Sequence, residues 1–165
     1  MADTLIFLDM PPVLGGATLV GYEGQIELET VNWGLSISHS MTDKAEVKMV
    51  PQRLTLSKFM DKSSINLATM MNTRKKFTLA GINFATMGPI TNQTRAIPVM
   101  RLELDNGYVE SIRIDASESG QSIQVRETVM LSFNRCTLKY YPVDVRRYGR
   151  GGVQTFVCAQ PWSDA

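Results

Sequence analysis

Apolar residues recur at every second position through most of this chain, and in three places the alternation changes phase. Ile26 and Leu28 occupy even positions, whereas Val31, Trp33, Leu35 and Ile37 occupy odd ones. Phe77 and Leu79 are odd, and Ile82 and Phe84 are even. Ile123, Val125, Val129, Leu131 and Phe133 share one phase, and Leu138 and Tyr140 take the other. Successive strand side chains point to opposite faces, so a strand with one buried face keeps its apolar residues in phase. Each switch therefore predicts a β-bulge or a sharp bend. We place the first near Glu29-Thr30 and the second at Gly81, a residue type that tolerates a bulge backbone. Long strands bent in this way can be shared by two sheets that close around one core. The fold expected is mainly β, a small β-barrel of two sheets with bent shared strands.

The elements follow from this pattern. Leu5 to Leu8 makes a short strand, stopped by Pro11-Pro12 and Gly15-Gly16. Residues 25–38 form one long strand. Residues 39–52 are polar, with Val47 and Met49 alternating with charges, and read as an extended arm. A strand at Leu54 and Leu56 leads into one flanking α-helix, capped by Asp61 or by Ser63/Ser64. Leu67, Ala68, Met70 and Met71 give it an apolar face, and Arg74, Lys75 and Lys76 suit its C-terminus. In MRLELDNGYVESIRID the alternation flanks Asn106-Gly107, which predicts a hairpin with a two-residue turn. Ser119-Gly120 marks a second turn, and Val153–Cys158 a short last strand.

Composition narrows the function classes. The 165 residues, 44% hydrophobic and 20% charged, suit a single soluble domain spanning 1–165. Seventeen Lys+Arg against 16 Asp+Glu leave a net charge of +1, with no overall basic footprint for nucleic acid. Cys136 and Cys158 lack metal-ligand spacing; two unpaired buried thiols are expected, with one bridge as the alternative. Asp3 and Asp9 bracket the short apolar run near the start, which does not read as a signal peptide. No stretch approaches the roughly 20 apolar residues of a membrane-spanning helix, so no membrane insertion is expected.

Chemistry is sparse. His39, the single histidine, reads as a solvated loop residue. No G-x-S-x-G elbow is present, and the pairs Glu27/Glu29 and Glu103/Asp105 sit at strand spacing on a polar side. YGRGGV lacks the strand-to-helix context of a phosphate loop, and Arg146, Arg147, Tyr148 and Arg150 suit surface or subunit contacts. The residues point to a barrel that is not an enzyme, with no cofactor, no metal and no nucleic-acid partner. The polar arm has no core role within the chain, and such arms usually reach a neighbouring subunit.

The order of features resembles the haemolysin-coregulated protein (Hcp) family, the tube protein of type VI secretion systems. The likeness runs from IFLDM through GQIELETVNWG, LTLSKFMDKSSINLATMMNTRKKF and RLELDNGYVESIRI to VRETVMLSFNRCTLKYYP. It departs at Tyr22-Glu23, where the family often has His-Lys, and in the loosely similar C-terminal stretch from Arg146. The resemblance implies a two-sheet barrel akin to phage tail tube proteins, assembled into homohexameric rings that stack as a tube. Its implied partners are further copies of itself, a contractile sheath, a valine-glycine repeat spike and secreted effectors carried in the lumen. It also implies a cytoplasmic protein that is secreted on firing without a signal peptide.

On this reading the arm supplies one side of a heterologous ring interface. Its residues are Met41, Asp43, Lys44, Glu46, Val47, Lys48, Met49, Val50 and Arg53. Arg101, Glu103, Arg113, Gln124 and Arg126 are lumen candidates, and Asn106, Gly107, Ser119 and Gly120 are ring-stacking loop candidates. The alternative is a monomeric barrel of the OB type that binds nucleic acid or a small ligand.

Overall fold

The computed structural model describes residues 5–38, 48–51, 53–90, 93–144, 149–150 and 152–159. The strands are β1 (Ile6–Asp9), β2 (Ile26–Leu28), β3 (Thr30–Asn32), β4 (Leu35–Ser38), β5 (Lys48–Pro51) and β6 (Leu54–Phe59). After the helix α1 (Ser64–Asn72) come β7 (Phe77–Ile90), β8 (Gln93–Ser119) and β9 (Ser122–Tyr140). The last are β10 (Val143–Asp144), β11 (Gly149–Arg150) and β12 (Gln154–Ala159). One eight-stranded sheet runs β2-β1-β7-β8-β9-β6-β3, with β12 also paired to β9. Every pairing in it is antiparallel.

The first phase switch lies where expected. The segment 25–38 breaks into β2, β3 and β4, and Glu29 is the break between β2 and β3. Ile26 and Leu28 face the core from one end of the sheet, while β3 pairs with β6 at the other end. Glu29 N–H donates to Ser57 O at 2.8 Å, which starts the second pairing. One bent segment thus supplies both terminal strands of the sheet, so the sheet curls round a single core without a hydrogen-bonded seam.

The other two switches, each expected as a bulge or a sharp bend, are one bend shared by three strands, and Gly81 is not a bulge. Phe77, Gly107 and Phe133 form a row across β7, β8 and β9; so do Ala80, Leu104 and Cys136. All six are buried, and each strand advances three residues between the rows. The inward phase therefore reverses in three strands together, and no register slip is needed there. Gly81 stays in regular pairing with Glu103. True slips occur between Phe84 and Ala85, and between Val109 and Ser111, where Glu110 is the extra residue.

The hairpin read at Asn106-Gly107 is likewise corrected. β8 is continuous through both residues, with Asn106 at φ 49° in its interior. A left-handed residue serves a kink as readily as a turn, and local sequence does not separate the two. A Cβ on Gly107 would run into the Ser132 carbonyl and the Phe77 ring, so the corner needs glycine for close approach. The β8–β9 turn is at Gly120-Gln121, with Ser119 opposite Ser122 and Gly120 at φ 63°. Ser119 and Gly120 therefore do mark a turn, whereas Asn106 and Gly107 do not form an end loop.

The core joins Leu8, Ile26, Leu28, Leu54, Leu56, Ile82, Leu102, Leu104, Val129, Leu131 and Phe133 with Leu67 and Met70 of α1. Burying one such side chain contributes about 1.5–3 kcal/mol. Trp33 packs against this cluster, and its hidden indole N–H has no partner among the described residues. β1 is covered on both faces, since Phe7 points away from the core and stacks on Tyr22 at 4.7 Å. The inward phase of the β8–β9 hairpin outruns the core. β6 ends at Phe59 opposite Arg126, and beyond that point Ile123 is 72% exposed.

α1 forms as expected, but its ends differ. Ser63 is the N-cap residue without a side-chain cap bond. The helix closes at Asn72, with no basic residue in its last turn. Arg74, expected near a helical end, lies past it at φ 52°.

Candidate functional site

Two strands carry charged residues in their inward phase. Lys58 follows Leu54 and Leu56, and Glu127 lies between Val125 and Val129. The register sets Lys58 directly opposite Glu127. Both are buried, at 0% and 2% exposure, which is costly for charges unless they are paired and hydrogen-bonded. The two pair with each other through Glu127 Oε2. Lys58 Nζ donates to Glu127 Oε2 at 2.8 Å, to Phe59 O at 2.9 Å and to Ser64 Oγ at 3.1 Å. Asp61 Oδ1 lies 2.9 Å from the same ammonium. Ser64 Oγ donates to Glu127 Oε2 at 2.7 Å and accepts from the Asp61 N–H at 3.0 Å. Ser63 donates to the Asp61 carboxylate through both its N–H and its hydroxyl. The cluster ties β6, the start of α1 and β9 together. The charged and hydroxyl groups of this lock are engaged with one another.

A second network lies on the opposite face of the sheet and includes two lumen candidates. The Arg101 guanidinium lies over Gly81, in the space a Cβ there would take. It donates to Asn83 Oδ1 at 2.8 Å and to Glu103 Oε1 at 2.9 Å. Lys139 Nζ donates to the same Glu103 oxygen at 2.9 Å, and Asn83 Nδ2 donates to Gln25 Oε1 at 2.9 Å. Partial burial works against the Glu103 anion, but the hydrogen bonds and charges of Lys139 and Arg101 outweigh it. The carboxyl is held below its ordinary value.

Arg113 and Arg126 belong to a third group, nearer the β8–β9 turn. Asp115 lies opposite Arg126, and Arg113 donates to Asp115 Oδ1 at 3.2 Å. Arg126 forks onto Glu29, Nε to Oε2 at 2.6 Å and Nη2 to Oε1 at 3.2 Å. Those hydrogen bonds, then the charge of Glu29, raise the Arg126 pKa above its ordinary value. The guanidinium also lies 5.3 Å from the centre of the Phe59 ring. Gln124 is exposed farther along the hairpin, opposite Ser117. The lumen candidates thus share the outer face in two clusters, not one continuous patch.

Of the arm residues, Met41, Asp43, Lys44, Glu46 and Val47 lie outside the described residues, as does His39. Lys48, Met49 and Val50 belong to β5, which pairs only with β4 among the described residues. Arg53 is tied to its own chain, with Nε 2.9 Å from Glu110 Oε2. Of the C-terminal basic cluster, Arg146, Arg147 and Tyr148 are outside the described residues, and Arg150 lies in β11.

The buried lock was missed as a site, although a signal for it existed. A lysine and a glutamate each broke an otherwise apolar inward phase. The pairing of Glu29 with Arg126, far apart in sequence, left no local signal. Among the described residues no group of three or more His, Cys, Asp or Glu could hold a metal ion, and no helix is long and apolar enough to cross a membrane.

The family model described as "Type VI secretion system effector, Hcp" matches residues 7–140. No curated protein sequence matches. Solved structures share the fold. A structure described as a type six secretion system protein superimposes with a TM-score of 0.77 at 19% identity, covering 93% of this chain and 94% of its own. Hcp1 from Salmonella typhimurium gives 0.74 at 21% identity, with 93% of each chain covered. A type VI secretion system effector from Yersinia pestis gives 0.68 at 15% identity, covering 94% and 99%. These structures support the fold, and the family match spans β1 to the end of β9. The chain belongs to the Hcp family of type VI secretion system proteins.

Proposed function

We propose that this chain is a structural tube subunit without chemistry of its own. Six copies close into a ring, and rings stack into the inner tube of the secretion apparatus. The sheath contracts around that tube and expels it with the valine-glycine repeat spike, and effectors ride in the lumen. The protein is cytoplasmic until firing.

The observation that carries this reading is that, among the described residues, β4 and β5 pair only with each other, with β12 near β5. The hairpin leaves directly after β3 and forms a two-stranded sheet of its own. An isolated two-stranded hairpin is marginally stable at best in water, so it gains most by packing on another surface. A heterologous contact, in which the arm of one copy meets a different patch on the next, closes into a ring when the rotation permits. The outer-face clusters, Arg101 with Glu103 and Arg113 with Arg126, line the lumen; Gln124 lies beside the second. Each arginine in them has an acidic partner in its own chain, which gives a wall of mixed charge. The Ser119-Gly120 turn, at the end of the β8–β9 hairpin, makes the contact between rings.

Native mass spectrometry with negative-stain imaging tests this directly. Rings of about 110 kDa, six chains of 18.4 kDa joined by one cyclic interface, are expected. Replacing Val47 and Met49 together with Asp should dissociate the rings and leave the circular-dichroism spectrum of the barrel intact. A strictly monomeric protein that binds single-stranded nucleic acid would overturn the proposal.

A further inference from the structure

The two cysteines are distant in sequence but face each other in the sheet. Cys136 lies on β9 and Cys158 on β12, directly opposite in the antiparallel register. Both are free thiols, both are buried, and both belong to the main core cluster, so they point to the same side. Directly opposed residues of an antiparallel pair have Cα atoms about 4.5–5.5 Å apart. A disulfide spans Cα separations of about 4.4–6.8 Å. We propose that Cys136 and Cys158 close into a cross-strand disulfide when the protein meets a small-molecule disulfide oxidant, fastening β12 to β9.

The position of β12 sets how this happens. Among the described residues, β9 is its only partner in the sheet. Gln154, Thr155, Phe156 and Val157 are all exposed, so little apolar burial holds the strand down. Burial, and then the neighbouring Cys158, push the Cys136 thiol up to about 11. With β12 docked it is therefore protonated at neutral pH and a poor nucleophile. Reaction waits for the edge strand to open. The Cys158 thiolate then attacks one sulfur of oxidised glutathione, releases one glutathione thiolate and becomes a mixed disulfide. As β12 re-docks, the Cys136 thiolate attacks the Cys158 sulfur and expels the second glutathione. Two cysteine thiols are oxidised to one disulfide, and one oxidised glutathione is reduced to two thiols. The inference rests on the β9–β12 register and is independent of the ring reading.

The test uses the intact protein, reduced and then incubated with oxidised glutathione. The expected product has lost two hydrogen atoms by intact mass, carries no glutathione and runs as a single chain on a non-reducing denaturing gel. Neither cysteine should then alkylate in denaturant. The melting temperature should rise on the order of 5–10 °C, and dithiothreitol should reverse the rise. Cys158→Ala should show no such rise. Full alkylation of both cysteines after oxidation, or products that are only glutathione adducts or cross-linked chains, would overturn the proposal. The mass and alkylation readouts need no variant, so a poorly folded mutant cannot obscure the answer.

Discussion

Arg126 and Glu127 are adjacent on β9, and both are held by an oppositely charged side chain, yet they lie in opposite physical worlds. Glu127 points inward, where Lys58 and Ser64 hold it with almost no exposed surface. Arg126 points outward and grips Glu29 in contact with water, with 52% of its side chain exposed. In the first case desolvation is large, and only a complete set of partners offsets it. In the second the arginine keeps about half of its surface in water, and salt screens part of the attraction. One step along a strand converts an ion pair from a structural requirement into a surface detail. The difference lies in which face of the sheet each residue meets.

The largest effect should come from breaking the buried pair. Glu127→Ala leaves the Lys58 ammonium inside the core with Asp61 as its remaining counter-charge, and should cost roughly 3–5 kcal/mol in urea unfolding. The double variant Lys58→Met with Glu127→Leu should regain most of that loss, because a filled apolar site needs no counter-ion. It should fall short of wild type, since Ser64 and Asp61 lose a partner. If the double variant is as unstable as Glu127→Ala, desolvation is not what makes this pair matter.

Glu103 sits between the two extremes, partly buried beneath Lys139 and Arg101. Its folded-state pKa is depressed, so it contributes stability above the ordinary carboxylate value of about 4.3. That contribution fades as pH falls through the lowered folded value. Glu103→Gln should therefore be less stable than wild type at pH 7, with the gap closing below about pH 4. A gap that stays constant across that range would assign the effect to packing instead of charge. The smallest effect belongs to Arg126→Gln, which should leave the unfolding midpoint nearly unchanged at high salt.

Much of the fold was legible because the sheet has one buried face, and a buried face prints its period on the sequence. The break at Glu29 and the helix with Leu67 and Met70 inward were both readable in this way. The sites were harder to read. Asn106-Gly107 carried a genuine requirement for unusual backbone, but a corner in three aligned strands meets it as well as a turn does. The switches in β7 and β9 looked independent, since nothing local reveals that Phe77 and Phe133 flank the same Gly107. The charged partners of Arg126 and Lys58 come from strands distant in the chain, and only the register brings them together.

By itself, the sequence determined that this is a mainly β protein with an unusual number of phase changes and one amphipathic helix. It also determined which family the chain resembles. Those properties are local or compositional, and they survive in the unfolded chain. The tertiary structure alone decided that two of the phase changes are one corner, that Lys58 and Glu127 are a pair, and that Cys136 faces Cys158. Each is a matter of which strands become neighbours, and pairing across a sheet depends on the core that all the strands build together.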